Sequence, residues 1–100
     1  MEDINVKIAG WFCYKDENQY SEFLSIFTDA HTLPSTFSRW KQLTEKGIHN
    51  MESKGVIIVR AYADSTEQFT AFCRHFRKGI NAEGRKYFAN FKAAEYIRRR

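Results

Sequence analysis

The sequence predicts an α+β domain in which a small sheet of two to three strands packs against four helices. Three observations point there. Residues 4–14 and 54–64 are apolar segments rich in β-branched and aromatic side chains, with the spacing of strands. Other segments place apolar residues at helical spacing behind a residue able to cap a helix. The two strands are separated by helical sequence, which suggests parallel pairing through a right-handed crossover. The predicted order is β-α-α-β-α-α. At 100 residues, with 43% hydrophobic and 16% aromatic content, the chain reads as a single domain with a real core.

The first strand segment, INVKIAGWFCY, alternates. Ile4, Val6, Ile8, Phe12 and Tyr14 fall on one face, with Gly10 interrupting, and Trp11 and Cys13 fall on the other. Asp16 and Gln19 then form a D-x-x-Q capping box. Behind it Tyr20, Phe23, Leu24 and Phe27 trace a helix that the spacing carries to Ala30 or His31. The turn HTLP follows, with Pro34 suited to a first helical position. Phe37, Trp40, Thr44, Ile48 and Met51 make the stripe of a second helix. Gly47 lies inside it, weakens it by about 1 kcal/mol relative to alanine, and marks either a break or a close contact.

The continuous apolar run at residues 56–59 is what a strand covered on both faces looks like. Asp64 or Ser65 caps a third helix, with Glu67 or Gln68 as its box partner. Phe69, Phe72, Cys73 and Phe76 form its apolar side, and Gly79 is a natural terminator. Asn81 restarts the chain as a cap for a fourth helix. Gly84, Tyr87, Phe88, Phe91 and Ala94 are its stripe, and it runs into Arg98, Arg99 and Arg100. Residues 86–92 are an alternative third strand, although the alanines and charges after Asn90 favour helix.

Several chemistries find no support in these residues. Cys13 and Cys73 form no CxxC pair and no disulfide framework. The start of the chain, with its acidic head and no long apolar run, is expected to be neither a signal peptide nor a membrane span. A cytoplasmic, reducing setting with free thiols is therefore expected. His31, His49 and His75 lack metal-ligand spacing, so no metal is expected. Cys73 and His75 do not face each other on a helix, which argues against a nucleophilic pair. There is no phosphate-cradling glycine loop and no hydrolase or metalloprotease motif, and no cofactor is expected.

The stretch AFCRHFRKGINAEGRKYFANF, residues 71–91, mixes aromatic rings with cations. The periodicity turns the rings inward and leaves Arg74, Arg77, Lys78, Arg85, Lys86 and the terminal Arg98, Arg99 and Arg100 as basic helix backs. With a net charge of +4, these residues are candidates for a nucleic-acid surface that reads phosphates without sequence preference. Trp11, Trp40 and Tyr62 are candidate aromatic anchors for a protein partner. Asp64 stands just past the strongest strand, where α/β ligands tend to bind, and with Arg60 and Tyr62 it forms a candidate pocket.

Residues 55–94 resemble a pattern seen in small uncharacterised bacterial proteins. The matching positions are Val59 and Arg60, Asp64, Phe69, Phe72 and Cys73, Arg85, and Phe88 and Ala89. Phe72 stands where that pattern has tryptophan. The resemblance supports a helix over residues 82–96 and implies no activity. The expected function is a non-enzymatic accessory protein that binds a protein partner or itself as a homodimer. A nucleic-acid module ranks second, and a small enzyme near Asp64 third.

Overall fold

Every α-helix begins at a side chain that satisfies its free N–H groups. The structure, a computed structural model, describes residues 7–99. β1 (Lys7–Cys13) leads into α1 (Glu17–Leu24), where Asp16 accepts a hydrogen bond from the Gln19 N–H at 2.8 Å. The Gln19 amide oxygen reaches back past Asp16 and accepts from the Lys15 N–H, also at 2.8 Å. α2 (Phe37–Glu52) starts behind Thr36, and α3 (Thr66–His75) behind Ser65 rather than Asp64. α4 (Ala82–Arg98) starts behind Asn81.

A short 3-10 helix, Ala30–Thr32, stands between α1 and α2, so the plain β-α-α-β-α-α order is interrupted there. α1 stops short of Ala30 because long-range bonds draw the chain away. The Thr28 N–H donates to the Ile80 carbonyl at 3.0 Å, and Asp29 turns to Arg85. Pro34 precedes α2 rather than opening it, and its carbonyl accepts from the Tyr20 hydroxyl. Residues 86–92 are helical, so the sheet has two strands among the described residues. β1 and β2 (Val56–Tyr62) run parallel, from Lys7 opposite Val56 to Cys13 opposite Tyr62. Ile4, Val6 and Arg100 lie outside the described residues.

Gly10 and Trp11 are consecutive in β1 and so address opposite faces of the sheet. On the Gly10 face lies α4, and it comes very close. A Cβ placed on Gly10 would stand 2.0 Å from the Ala89 carbonyl oxygen, so strand and helix backbones meet with no side chain between them. On the Trp11 face lies α2, and a Cβ on Gly47 would stand 2.8 Å from the indole ring. Gly47 is therefore a contact point, and α2 runs through it unbroken. The result is a helix–sheet–helix sandwich.

The core gathers at the carboxyl ends of the strands around Phe12. Its ring meets Tyr14, Phe23, Phe27, Phe69 and Phe88 edge-on at 5.1 to 6.4 Å. Burial of each such side chain contributes roughly 1.5–3 kcal/mol. Toward the other end the sheet is less covered. Residues 56–59 are only half-buried, not sealed on both faces as their unbroken apolar run predicts.

α4 is also phased differently from the predicted stripe. Gly84, Phe88, Ala89 and Ala93 are buried, whereas Tyr87 and Phe91 are each 38% exposed and Ala94 is exposed. Small residues set that phase. Ala89 meets Gly10, and a Cβ on Gly84 would stand 2.2 Å from the Gly79 carbonyl and 2.7 Å from the Cys73 sulfur. α3 ends at His75 with Phe76 as its cap, and Arg77 just beyond it takes the left-handed region (φ 57°), before Gly79 is reached, while the Lys78 N–H closes the end on the Cys73 carbonyl at 2.8 Å.

Gly10→Ala should lift α4 from the sheet. Urea denaturation is expected to show a loss of about 1–3 kcal/mol or more. A variant as stable as the native chain would mean that the helix does not seat on this glycine.

Candidate functional site

Each strand has only the other as a ladder partner among the described residues, so each presents one outer edge. α4 crosses the sheet, and its opposite ends wall two grooves along these edges.

The groove beside β1 has a volume of about 280 Å³. Gly10, Trp11 and Phe12 form its strand side. Tyr14, Leu33 and Trp40 supply apolar walls, and Arg85, Lys86 and Ala89 face them from α4. Trp11 and Trp40 are half-buried. Trp40 also packs into the core, with its ring 4.8 Å from Tyr14 and 5.6 Å from Phe37. Burial raises the Tyr14 hydroxyl above the ordinary tyrosine value, against a smaller opposing pull from Arg85.

The groove beside β2 has a volume of about 380 Å³ and is lined by residues 59–62 with Lys92, Glu95, Tyr96 and Arg99 of α4. Arg60 donates two hydrogen bonds to Glu45, at 2.6 and 2.8 Å. That bond holds the Glu45 carboxyl below its ordinary value and pushes the Arg60 guanidinium up. Lys92 lies 3.6 Å from Glu95. Tyr62 is 40% exposed, Tyr96 41% and Ile97 53%.

The basic residues named as candidates for a nucleic-acid surface are divided. Arg85 and Lys86 belong to the β1 groove and Arg99 to the β2 groove. Arg74 borders a hollow on α3 with Thr66 and Thr70. Lys78 sits 4.9 Å above the Tyr87 ring, Arg77 lies in the turn just past α3, and Arg98 is exposed near the end of α4. Arg85 is not a solvated cation. It pairs with Asp29 through two hydrogen bonds of 2.9 Å, with the two side chains only 12% and 20% exposed, and its guanidinium lies 4.5 Å over Phe27. Asp29 stands far away in sequence, so no local pattern points to this partner.

The rings of the basic stretch divide as well. Phe88 is core, beside the buried Cys73 and Phe69. Phe72, Phe76, Tyr87 and Phe91 form a partly exposed cluster at 4.8 to 6.0 Å between α3 and α4.

The trio of Arg60, Tyr62 and Asp64 is only partly assembled. Arg60 and Tyr62 share the β2 groove, but Asp64 is not part of its lining. The Asp64 side chain is 82% exposed and 4.0 Å from the Lys15 ammonium. Both thiols are buried and free; burial pushes Cys13 up to about 11 and raises Cys73 as well, which suppresses the nucleophilic thiolate. Among the described residues no three His, Cys, Asp or Glu side chains cluster so as to hold a metal ion. No helix among them is long and apolar enough to cross a membrane.

Compared with family models, with curated proteins and with solved structures, the chain matches none.

The Arg85 hydrogen bonds hold the Asp29 carboxyl below its ordinary value. Its contribution to stability is therefore complete above the pKa of an unfolded aspartate, about 3.9, and is lost as pH falls through the lower folded value. Thermal unfolding between neutral and acid pH should show a smaller acid-side drop in Asp29→Asn than in the native chain. Identical acid-side slopes would mean that the pair does not stabilise the fold.

Proposed function

We propose that the protein is a non-enzymatic, cytoplasmic accessory module that works by protein–protein association, pairing with a second copy of itself along the outer edge of β2. The observation that carries this reading is the character of that edge. Among the described residues it is an unpaired strand edge, its groove lined by the exposed side chains Tyr62 and Tyr96, and Ile97, the next residue of α4, is exposed as well. Unpaired strand edges are templates for strand addition.

The charges around the β2 groove favour a like partner. A two-fold interface lays a patch on its own copy, so the patch must complement itself. The groove and its border carry both signs, with Arg60, Lys92 and Arg99 beside Glu45 and Glu95. Pairing would convert a thin two-stranded sheet into one of about four strands, a common size, and would cover the half-buried apolar residues 56–59. The buried free thiols suit a reducing compartment.

The nucleic-acid reading draws on the partly exposed cluster of Phe72, Phe76, Tyr87 and Phe91 with Lys78 over Tyr87, and on Arg74 and Arg77 nearby in the chain. The dispersal of Arg85, Lys86 and Arg99 into the two grooves weighs against it. The enzyme reading weakens because Asp64 is highly exposed and lies outside the groove shared by Arg60 and Tyr62.

Sedimentation velocity over a wide concentration range should show a monomer–dimer equilibrium. The double variant Tyr62→Asp/Ile97→Asp should sediment as a monomer with unchanged circular dichroism. A native chain that stays monomeric at high micromolar concentration overturns the proposal, as does a double variant that still dimerises.

A further inference from the structure

We infer that the groove beside β1 is a binding site for a small planar aromatic carboxylate. This site lies at the opposite edge of the sheet from the proposed self-association surface and does not depend on it. The starting observation is Tyr14. Its side chain packs against Phe12, Tyr20, Phe23 and Trp40, and the residue is only 4% exposed. Its hydroxyl makes no hydrogen bond among the described residues. Among the described residues no side-chain oxygen or nitrogen that is fully sealed from solvent is left without a partner. The hydroxyl must therefore retain a small opening to solvent, and the groove that Tyr14 lines supplies it. A tyrosine buried this deeply normally satisfies its hydroxyl within the protein, as Tyr20 does on the Pro34 carbonyl.

The rest of the lining defines what would satisfy that hydroxyl. Trp11, Trp40 and Leu33 offer flat apolar walls for a ring. Lys86 stands opposite on α4, exposed and without an ion-pair partner among the described residues. Arg85 adds positive charge, although its guanidinium is already engaged by Asp29. No acidic side chain lines the groove. A tyrosine hydroxyl and an ammonium are two donors that match the two oxygens of a carboxylate. The volume of about 280 Å³ suits a compact ligand of one or two rings. The mixed charges of the β2 groove contrast with this lining of cations and apolar side chains, which attracts an anion and repels its own copy.

The molecule supplies its own reporter, because Trp11 and Trp40 are its only tryptophans and both line this groove. Titration of the full chain with benzoate should give a saturable change in tryptophan fluorescence, with a Kd of about 1 mM or tighter, the range open to so small a ligand. Acetate, which lacks the ring, and benzyl alcohol, which lacks the charge, should each bind at least about tenfold more weakly. Phenyl phosphate binding as tightly as benzoate would overturn the assignment to carboxylates. Lys86→Ala and Tyr14→Phe should each weaken benzoate about fivefold to tenfold, whereas Lys92→Ala in the other groove should not. Circular dichroism and thermal unfolding confirm that each variant is folded. No saturable signal, or affinity unchanged in both the Tyr14 and Lys86 variants, overturns the site.

Discussion

The contact on which the rest of the structure depends is the meeting of Gly10 with Ala89. A helix normally stands off a sheet by the length of the side chains between them. Here there are none, since even one methyl group on Gly10 would fall 2.0 Å from the Ala89 carbonyl oxygen. That contact fixes the register of α4 on the sheet. Once Ala89 is seated on Gly10, Arg85 and Lys86 reach the β1 edge, and Lys92, Glu95 and Tyr96 reach the β2 edge. Phe88, one residue before Ala89, is simultaneously placed against Phe12 and Phe69 in the core. One pair of small residues thus positions the core and both grooves.

What was legible in the sequence was what local chemistry dictates. Asp16, Ser65 and Asn81 announce their helices because a side-chain acceptor next to free N–H groups is a short-range interaction. Phe12, Phe23 and Phe69 announce the core through periodicity. What was not legible was decided between distant residues. α1 ends early because Thr28 and Asp29 answer to Ile80, Ala82 and Arg85, which are more than fifty residues away in the chain. α4 buries Ala89 and Ala93 rather than Phe91 and Ala94, because close backbone approach rewards small residues that a hydropathy pattern underrates. Gly47 sent an ambiguous signal and resolved as a contact with Trp11.

The same division holds for the candidate site residues. Trp11 and Trp40 were identified as anchors, and they do share a groove, but the side of it that Arg85, Lys86 and Ala89 form depends on how α4 lies across β1. Arg85 reads as a wet cation from its neighbours and becomes a half of a shielded ion pair once Asp29 arrives. The two edges of the sheet end with different characters. The β1 edge carries aromatic walls and, beside the paired Arg85, the cation of Lys86, and the β2 edge carries the exposed Tyr62 and Tyr96 with both signs of charge. Self-pairing is proposed on the second kind of edge, and an anionic ligand on the first.

Self-pairing along β2 is most directly tested by amide hydrogen exchange, followed residue by residue in dilute and in concentrated protein. Among the described residues the backbone amides of β2 that face away from β1 have no ladder partner, so self-pairing predicts that their protection rises with concentration while that of the outward-facing amides of β1 does not. Exchange at those β2 amides that is independent of concentration would contradict it.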